Sequence, residues 1–357
     1  SAQGGFEHQN RPAGVRTDED PEAATLSVTQ LLWDGGAIGG TVKAAKSRID
    51  VAGSTAQLTE QDLLQVGVRT YFGLVFAQQR LTHAIESVAR IAEQKDTEAK
   101  KMEQGKGSKA DFLQAESQLL AAQAGVATEE GAVQIAKNAY IQVFGKPAPA
   151  ADTMQLEASP SKALPANLLA AEGFALASAP RLATARAAQV AAKHDFEAAN
   201  GTHYPRFDAV VEGAYRSDAQ AVVGDVSEAR AFVRMTYNFD LGFSRRGVVG
   251  AARAAQHAAV YDTANQERVV LEAVRSAWQR HMTASKNYAI SVRQLESATQ
   301  FLELAKKERE LGKRTLQDIL NGELVRLAAK TRLAGAQAEV STSAFDIMRT
   351  TGQLHLD

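Results

Sequence analysis

The chain contains no cysteine, which excludes disulfides, thiolate metal sites and a cysteine nucleophile. Aromatic residues make up only 6% of it, although 45% is hydrophobic. The apolar content therefore leans on alanine, which favours helices in close approach over a bulky core. No apolar run reaches the roughly 18 residues that a transmembrane helix requires. That leaves a membrane barrel open, because its strands need only ~9–11 alternating residues. Neither sign of charge dominates, with 40 basic against 41 acidic residues, so the basic stripe of a nucleic-acid binder is missing. There is no Gly-rich phosphate loop, HExxH pair or GxSxG elbow, and no nucleophile, base and orienting group that would mark an enzyme. His8, His83, His194, His203, His257, His281 and His355 show no ligand spacing, so neither a metal nor a cofactor is expected.

What the sequence does contain is an internal repeat, sought first because it decides the fold class. "GKGSKADFLQAESQLLAA" from Gly105 matches "GKRTLQDILNGELVRLAA" from Gly312, an offset of 207 residues. Gly105/Gly312, Ser108/Thr315, Asp111/Asp318, Leu113/Leu320 and Glu116/Glu323 align. The same offset pairs Gly35 with Gly242, Leu64 with Leu271, Tyr71 with Trp278 and Gly145 with Gly352. One ungapped register over this length is a duplication.

Each copy reads as strands, a very long helix, a tight turn and a second helix. Repeat 1 covers 1–150, with strands within 1–33, helices within 37–144 and a tip turn at 103–109. A Pro/Ala/Ser linker follows at 151–165. Repeat 2 covers 166–357, with a helix over 166–200 broken at Pro180, strands within 205–240, helices within 244–351 and a tip turn at 310–316. The strands alternate. Phe207, Ala209, Val211, Gly213 and Tyr215 share one face and Asp208, Glu212 and Arg216 the other. After a polar loop at 218–228, Val233, Met235, Tyr237 and Phe239 again oppose Arg234, Thr236 and Asn238. The helix that follows is roughly 100 Å long at 1.5 Å per residue. At the offset of 207, Ser1 falls on Asp208, inside a strand of the second copy. The first copy is thus expected to lack its leading helix, with roughly 40 residues upstream.

An isolated hairpin is marginal in water, and two strands per copy are too few for a membrane barrel, which needs about eight. Several chains could close the barrel and pack the long helices into a cylinder. The face of Val233 and Met235 would then meet lipid, and that of Arg234 and Thr236 a water-filled lumen. With "QLLWDGG" at the strand-to-helix seam and the turns "EQGKGSKADFLQAE" and "ELGKRTLQDILNGE", the chain resembles the TolC-like family of outer-membrane efflux and secretion channels. The resemblance implies a mainly α fold of two tandem repeats. In a homotrimer these form a 12-stranded β-barrel on a long α-helical barrel. It also implies a place in the outer membrane of a Gram-negative bacterium, and outer-membrane lipid, a periplasmic adaptor and an inner-membrane transporter of the ABC type as partners. The "LWDGG" form is more similar to members serving type I protein secretion than to drug-pump channels. Multidrug or metal efflux is the alternative within the family, and a periplasmic adaptor or helical scaffold the alternative outside it.

The resemblance also assigns sites. It places the turns at Gly105 and Gly312, with Ser108 and Thr315, at the periplasmic tip where the tunnel closes. It makes Arg314 the gate arginine, Asp111 its partner on the other turn, and Asp318 an aspartate ring. Asn321 stands at the second ring position, and Arg309 where the family has a gate tyrosine. Converging carboxylates in a narrow pore favour cations. Asp111 and Asp318 can equally be early helix residues that complement the helix dipole. Trp33, Tyr237 and Phe239 are expected at the membrane interface, with Asp34, Gly35, Gly36 and Gly242 at the strand-to-helix junctions. "RTDEDPE" (16–22) reads as a solvated loop, and Lys100, Lys101, Lys306 and Lys307 as solvated helix surface.

Overall fold

A computed structural model describes residues 22–154, 164–217, 225–238 and 244–354 of the protein. The element order is β1 (Glu22–Trp33), α1 (Ala37–Glu103), α2 (Lys109–Phe144), α3 (Leu168–Ser178), α4 (Pro180–Gly201), β2 (Arg206–Ser217), β3 (Asp225–Thr236), α5 (Ser244–Glu310) and α6 (Leu316–Thr350). The repeat appears in these bounds. Both α1 and α5 have 67 residues, and their first and last residues are related by the same 207-residue offset. Phe239, Gly242 and the 16–22 loop except Glu22 lie outside the described residues.

Contacts divide the chain into two units. The first holds residues 1–53 and 184–264. Its sheet runs β1-β2-β3, antiparallel throughout. Register places Val28, Val211 and Ala231 side by side on one face, and Ser27, Glu212 and Arg230 on the other. The apolar face is open: Leu26 is 60% exposed, Val233 64% and Met235 62%. β3 begins at Asp225, earlier than the loop expected over 218–228 allows. The cross-strand pairs of Glu228 with Arg216 and Arg230 with Glu212 extend the ladder. It stops at Thr236, so Tyr237 stands just past the strand, where a guanidinium, that of Arg245, lies 5.8 Å from its ring centre.

The turn from β1 into α1 is built by Asp34. Its carboxylate accepts from the backbone N–H of Gly36 (3.0 Å) and Ile38 (2.7 Å), satisfying donors that a helix start leaves open. Gly35 (φ 69°) and Gly36 (φ 88°) take left-handed conformations that side chains disfavour. At Gly35 a Cβ would also stand 2.7 Å from the Gly201 carbonyl and from Tyr204. Trp33 packs edge-on to Tyr204 at 5.8 Å and against Phe207 at 6.0 Å. One turn on, α1 crosses α4 so closely that a Cβ on Gly40 would lie 2.7 Å from the Ala198 backbone nitrogen.

The second unit holds residues 54–183 and 265–357. It is helical, with small apolar clusters in place of one large core. Phe72, Leu74, Val75, Tyr140 and Met154 form one, and Ala171, Ala175, Leu182, Val270 and Val274 another. Pro180 explains the break between α3 and α4. It holds Ala179 in an extended conformation (ψ 120°) and starts α4 at the position where a missing N–H costs nothing. No described helix is long and apolar enough to cross a membrane.

Gly40→Leu should therefore destabilise the protein by about 1–3 kcal/mol, because the group it meets is backbone and cannot turn aside. Gly39, with open space around its Cα, should accept alanine with no loss. Thermal melting followed by circular dichroism compares the two.

Candidate functional site

The two helix–turn–helix turns are built alike. Gly105 (φ 68°) and Gly312 (φ 73°) end the long helices in the left-handed conformation. Lys106 donates its N–H to the Lys101 carbonyl at 2.8 Å, and Lys313 to that of Glu308 at 2.9 Å, the six-to-one bond of a Schellman stop. Ser108 caps α2 by accepting from the N–H of Ala110. Thr315 caps α6 in a reciprocal box with Asp318, whose carboxylate accepts from the Thr315 N–H (3.0 Å) and hydroxyl (2.8 Å). These backbone and hydroxyl bonds, with the positive charges of Arg314 and Arg309, hold the Asp318 carboxyl below its ordinary value.

The predicted gate residues do not all meet within one chain. Arg314 does not reach Asp111; its Nε lies 2.8 Å from Glu308, and its guanidinium sits over the Phe301 ring at 5.7 Å. Glu308 lies just before the turn on the same hairpin, closer along the chain than any group of α2. The cation near Asp111 is instead Arg309, at 4.0 Å. Asn321 accepts from Gln317 at 3.1 Å, and Gln317 in turn accepts from Gln114, so a chain of amides joins α6 to α2.

A buried ion pair at the tip joins Arg309, marked in the sequence only as standing where the family has a tyrosine, to Glu98, which the sequence reading did not single out. Glu98 on α1 has a side chain only 1% exposed, and its Oε1 accepts from Arg309 of α5 at 2.7 Å, from Lys101 at 3.1 Å and from Gln94 at 2.9 Å. Burial pushes the Glu98 carboxyl up, but the hydrogen bonds and charges of Arg309 and Lys101 together outweigh it and hold the group below its usual range. A second buried acid, Glu323, takes Lys306 and Arg326, both at 2.8 Å, so Lys101 and Lys306 are paired with buried acids and are not merely solvated. The missed signal was asymmetry. At the offset of 207, Glu98 corresponds to Ala305 and Arg309 to Met102, so this ion pair belongs to neither repeat alone. Around it Ile91, Ala115, Leu316 and Leu320 join α1, α2 and α6 in an apolar cluster. Among the described residues no group of acids and histidines is arranged to hold a metal ion.

A duplicated strand-and-long-helix unit, a two-faced sheet and paired tip turns define an outer-membrane duct, and the comparisons agree. The model of the outer membrane efflux protein family matches residues 1–146 and 173–353, and the chain belongs to that family. It is 24% identical over 345 residues to the outer membrane efflux protein BepC of Brucella suis biovar 1, covering 93% of this chain and 72% of that one. To the alkaline protease secretion protein AprF of Pseudomonas aeruginosa it is 24% identical over 335 residues, 91% of this chain and 68% of the other. In fold it is similar to CusC, whose structure describes transmembrane channel formation, with a TM-score of 0.84, 16% identity, and coverage of 99% of this chain and 82% of that one. The outer-membrane channel OprN gives 0.81, at 21% identity and with 99% and 80% covered. The protein is thus an outer-membrane channel of the Gram-negative envelope with a large periplasmic part, and not an enzyme.

Because Glu98 is paired through a depressed carboxyl, its contribution to stability is present above the unfolded value near ~4.3 and is lost as pH falls through the folded one. Glu98→Ala should lower unfolding free energy by about 3–5 kcal/mol at neutral pH, since it strands a buried guanidinium. The gap to wild type should narrow below about pH 4. Denaturant unfolding followed across that range by tryptophan fluorescence measures both effects.

Proposed function

We propose that three copies of this chain form the exit duct of a tripartite system, receiving substrate from an inner-membrane transporter through a periplasmic adaptor. The observation that carries this reading is the sheet, apolar on one face and ion-paired on the other, leading through the Asp34 turn into a helix of roughly 100 Å. Closed with strands of other copies, such a sheet turns its apolar face to lipid and its polar face to a lumen. Trp33 and Tyr237 then stand at the interface, where amphipathic rings are enriched.

At the opposite end of the helices, Arg314, Asp111, Asp318 and Asn321 form the gate. In this reading Arg314, tied to Glu308 within its own chain and exposed beyond it, meets Asp111 of another copy. Asp318 lines the aperture while it caps its helix. Arg309 and Glu98 hold the two hairpins of each chain together beneath that gate. Type I protein secretion is the proposed role, supported by the strand-to-helix motif and by the likeness to a protease secretion protein. Small-molecule efflux is the second reading, which the likeness to BepC favours. Gene deletion followed by analysis of the culture medium separates them: a missing secreted protein supports the first, and drug or metal sensitivity with normal secretion the second.

Arg314→Ala should loosen the tip and raise single-channel conductance in planar bilayers; unchanged conductance removes Arg314 from the gate. Asp318→Ala should weaken block by polyvalent cations added from the periplasmic side, and equal block in both proteins discards the aspartate ring.

A further inference from the structure

The polar face of the sheet does not present its charges evenly. Asp208 takes Arg206 at 2.8 Å, and Glu212 takes Arg230 at 2.9 Å and Arg234 at 3.4 Å. In each case the acid is recessed and the base stands over it. The carboxylate side chains are 8% and 17% exposed, while the three arginines are 49%, 55% and 49% exposed. Arg230 and Arg234 share Glu212, and Arg234 also stands in register with Asp208, so this stretch of the face sets three arginines, Arg206, Arg230 and Arg234, against two acids. Across from Glu212, β1 offers Ser27, with Thr25 and Thr29 beside it and no compensating acid. In the pair of Arg216 and Glu228, at 3.5 Å, the two members are similarly exposed.

We propose that this arginine-over-carboxylate band is an anion-attracting lining, so that the part of the duct inside the membrane favours solutes bearing carboxylate or phosphate groups over cations. The inference rests on the duct reading above, which turns this face to the lumen. A guanidinium holding one carboxylate still has N–H donors to offer a passing oxyanion. A ring of such groups within low-dielectric walls concentrates anions by focusing its field. The band is open, not enclosed, so it selects and steers without capturing. It lies in a different unit from Asp318, and its sign is opposite.

The test is the chloride-to-potassium permeability ratio, read as a reversal potential across a salt gradient with the full-length protein in planar bilayers. Arg230→Gln combined with Arg234→Gln should lower the ratio by roughly threefold, below the tenfold-and-upward range of strong electrostatic focusing, and Glu212→Gln should raise it. Thr25→Asp adds a negative charge to an exposed position of the same face without breaking an ion pair. It should also lower the ratio, which separates the effect from damage to the ladder. Repeating the series with Arg314→Ala removes a narrow tip as the element that sets selectivity. An unchanged ratio for both the double arginine variant and Thr25→Asp, in channels that conduct in either background, overturns the band. A wild-type protein that forms no conducting channel overturns the duct reading and the band with it.

Discussion

Val28, Val211 and Val233 stand 58%, 56% and 64% exposed on one face of the sheet, because no described element of the chain covers them. In water such a face is costly at roughly 25 cal/mol per Å² of apolar surface, and its strand edges would invite pairing with any partner. Lipid against the apolar face and closure of the edges remove both problems together. The opposite face could not be buried in the same way. Its arginines and carboxylates pair with one another, and taking them out of water would be far more expensive than exposing valine.

The transition between these surroundings is handled by backbone chemistry. Asp34 supplies the acceptor that the first turn of α1 lacks, and two left-handed glycines make the corner. Trp33, Tyr204 and Phe207 gather on the strand side of that corner. At the far end of the long helices, Gly105 and Gly312 stop the chain by one shared device, and Ser108 and Thr315 restart it. Neither end depends on a large core. The clusters between are small, and buried ion pairs such as Glu98–Arg309 fix which helix lies against which.

Much of this is legible in the sequence because duplication states it twice. The offset of 207 sets α1 and α5 to the same extent, and the glycines mark both turns. The sheet was harder to read. The start of β3 is set by its ladder with β2, a non-local pairing, so the polar residues 225–228 read as loop. The tip was harder still. A repeat draws attention to what its copies share, whereas Glu98 and Arg309 each lack a charged counterpart in the other copy. The partner of Arg314 depended on side-chain reach across a turn, and within the chain Glu308 took the place expected of Asp111.

Two contacts at the tip show how closely the hairpins are matched. Arg309 bonds Glu98 across 211 residues and Gln114 bonds Gln317 across 203, four on either side of the repeat length. The two turns are therefore held in step by helices that must keep the same residue count. One residue inserted into α1 alone would rotate all that follows by about 100° and advance it by ~1.5 Å, turning Glu98 away from Arg309 and carrying one turn past the other. Side chains along these helices are free to drift, but their lengths can change only as a pair, so the two halves of the gene are bound to a common ruler.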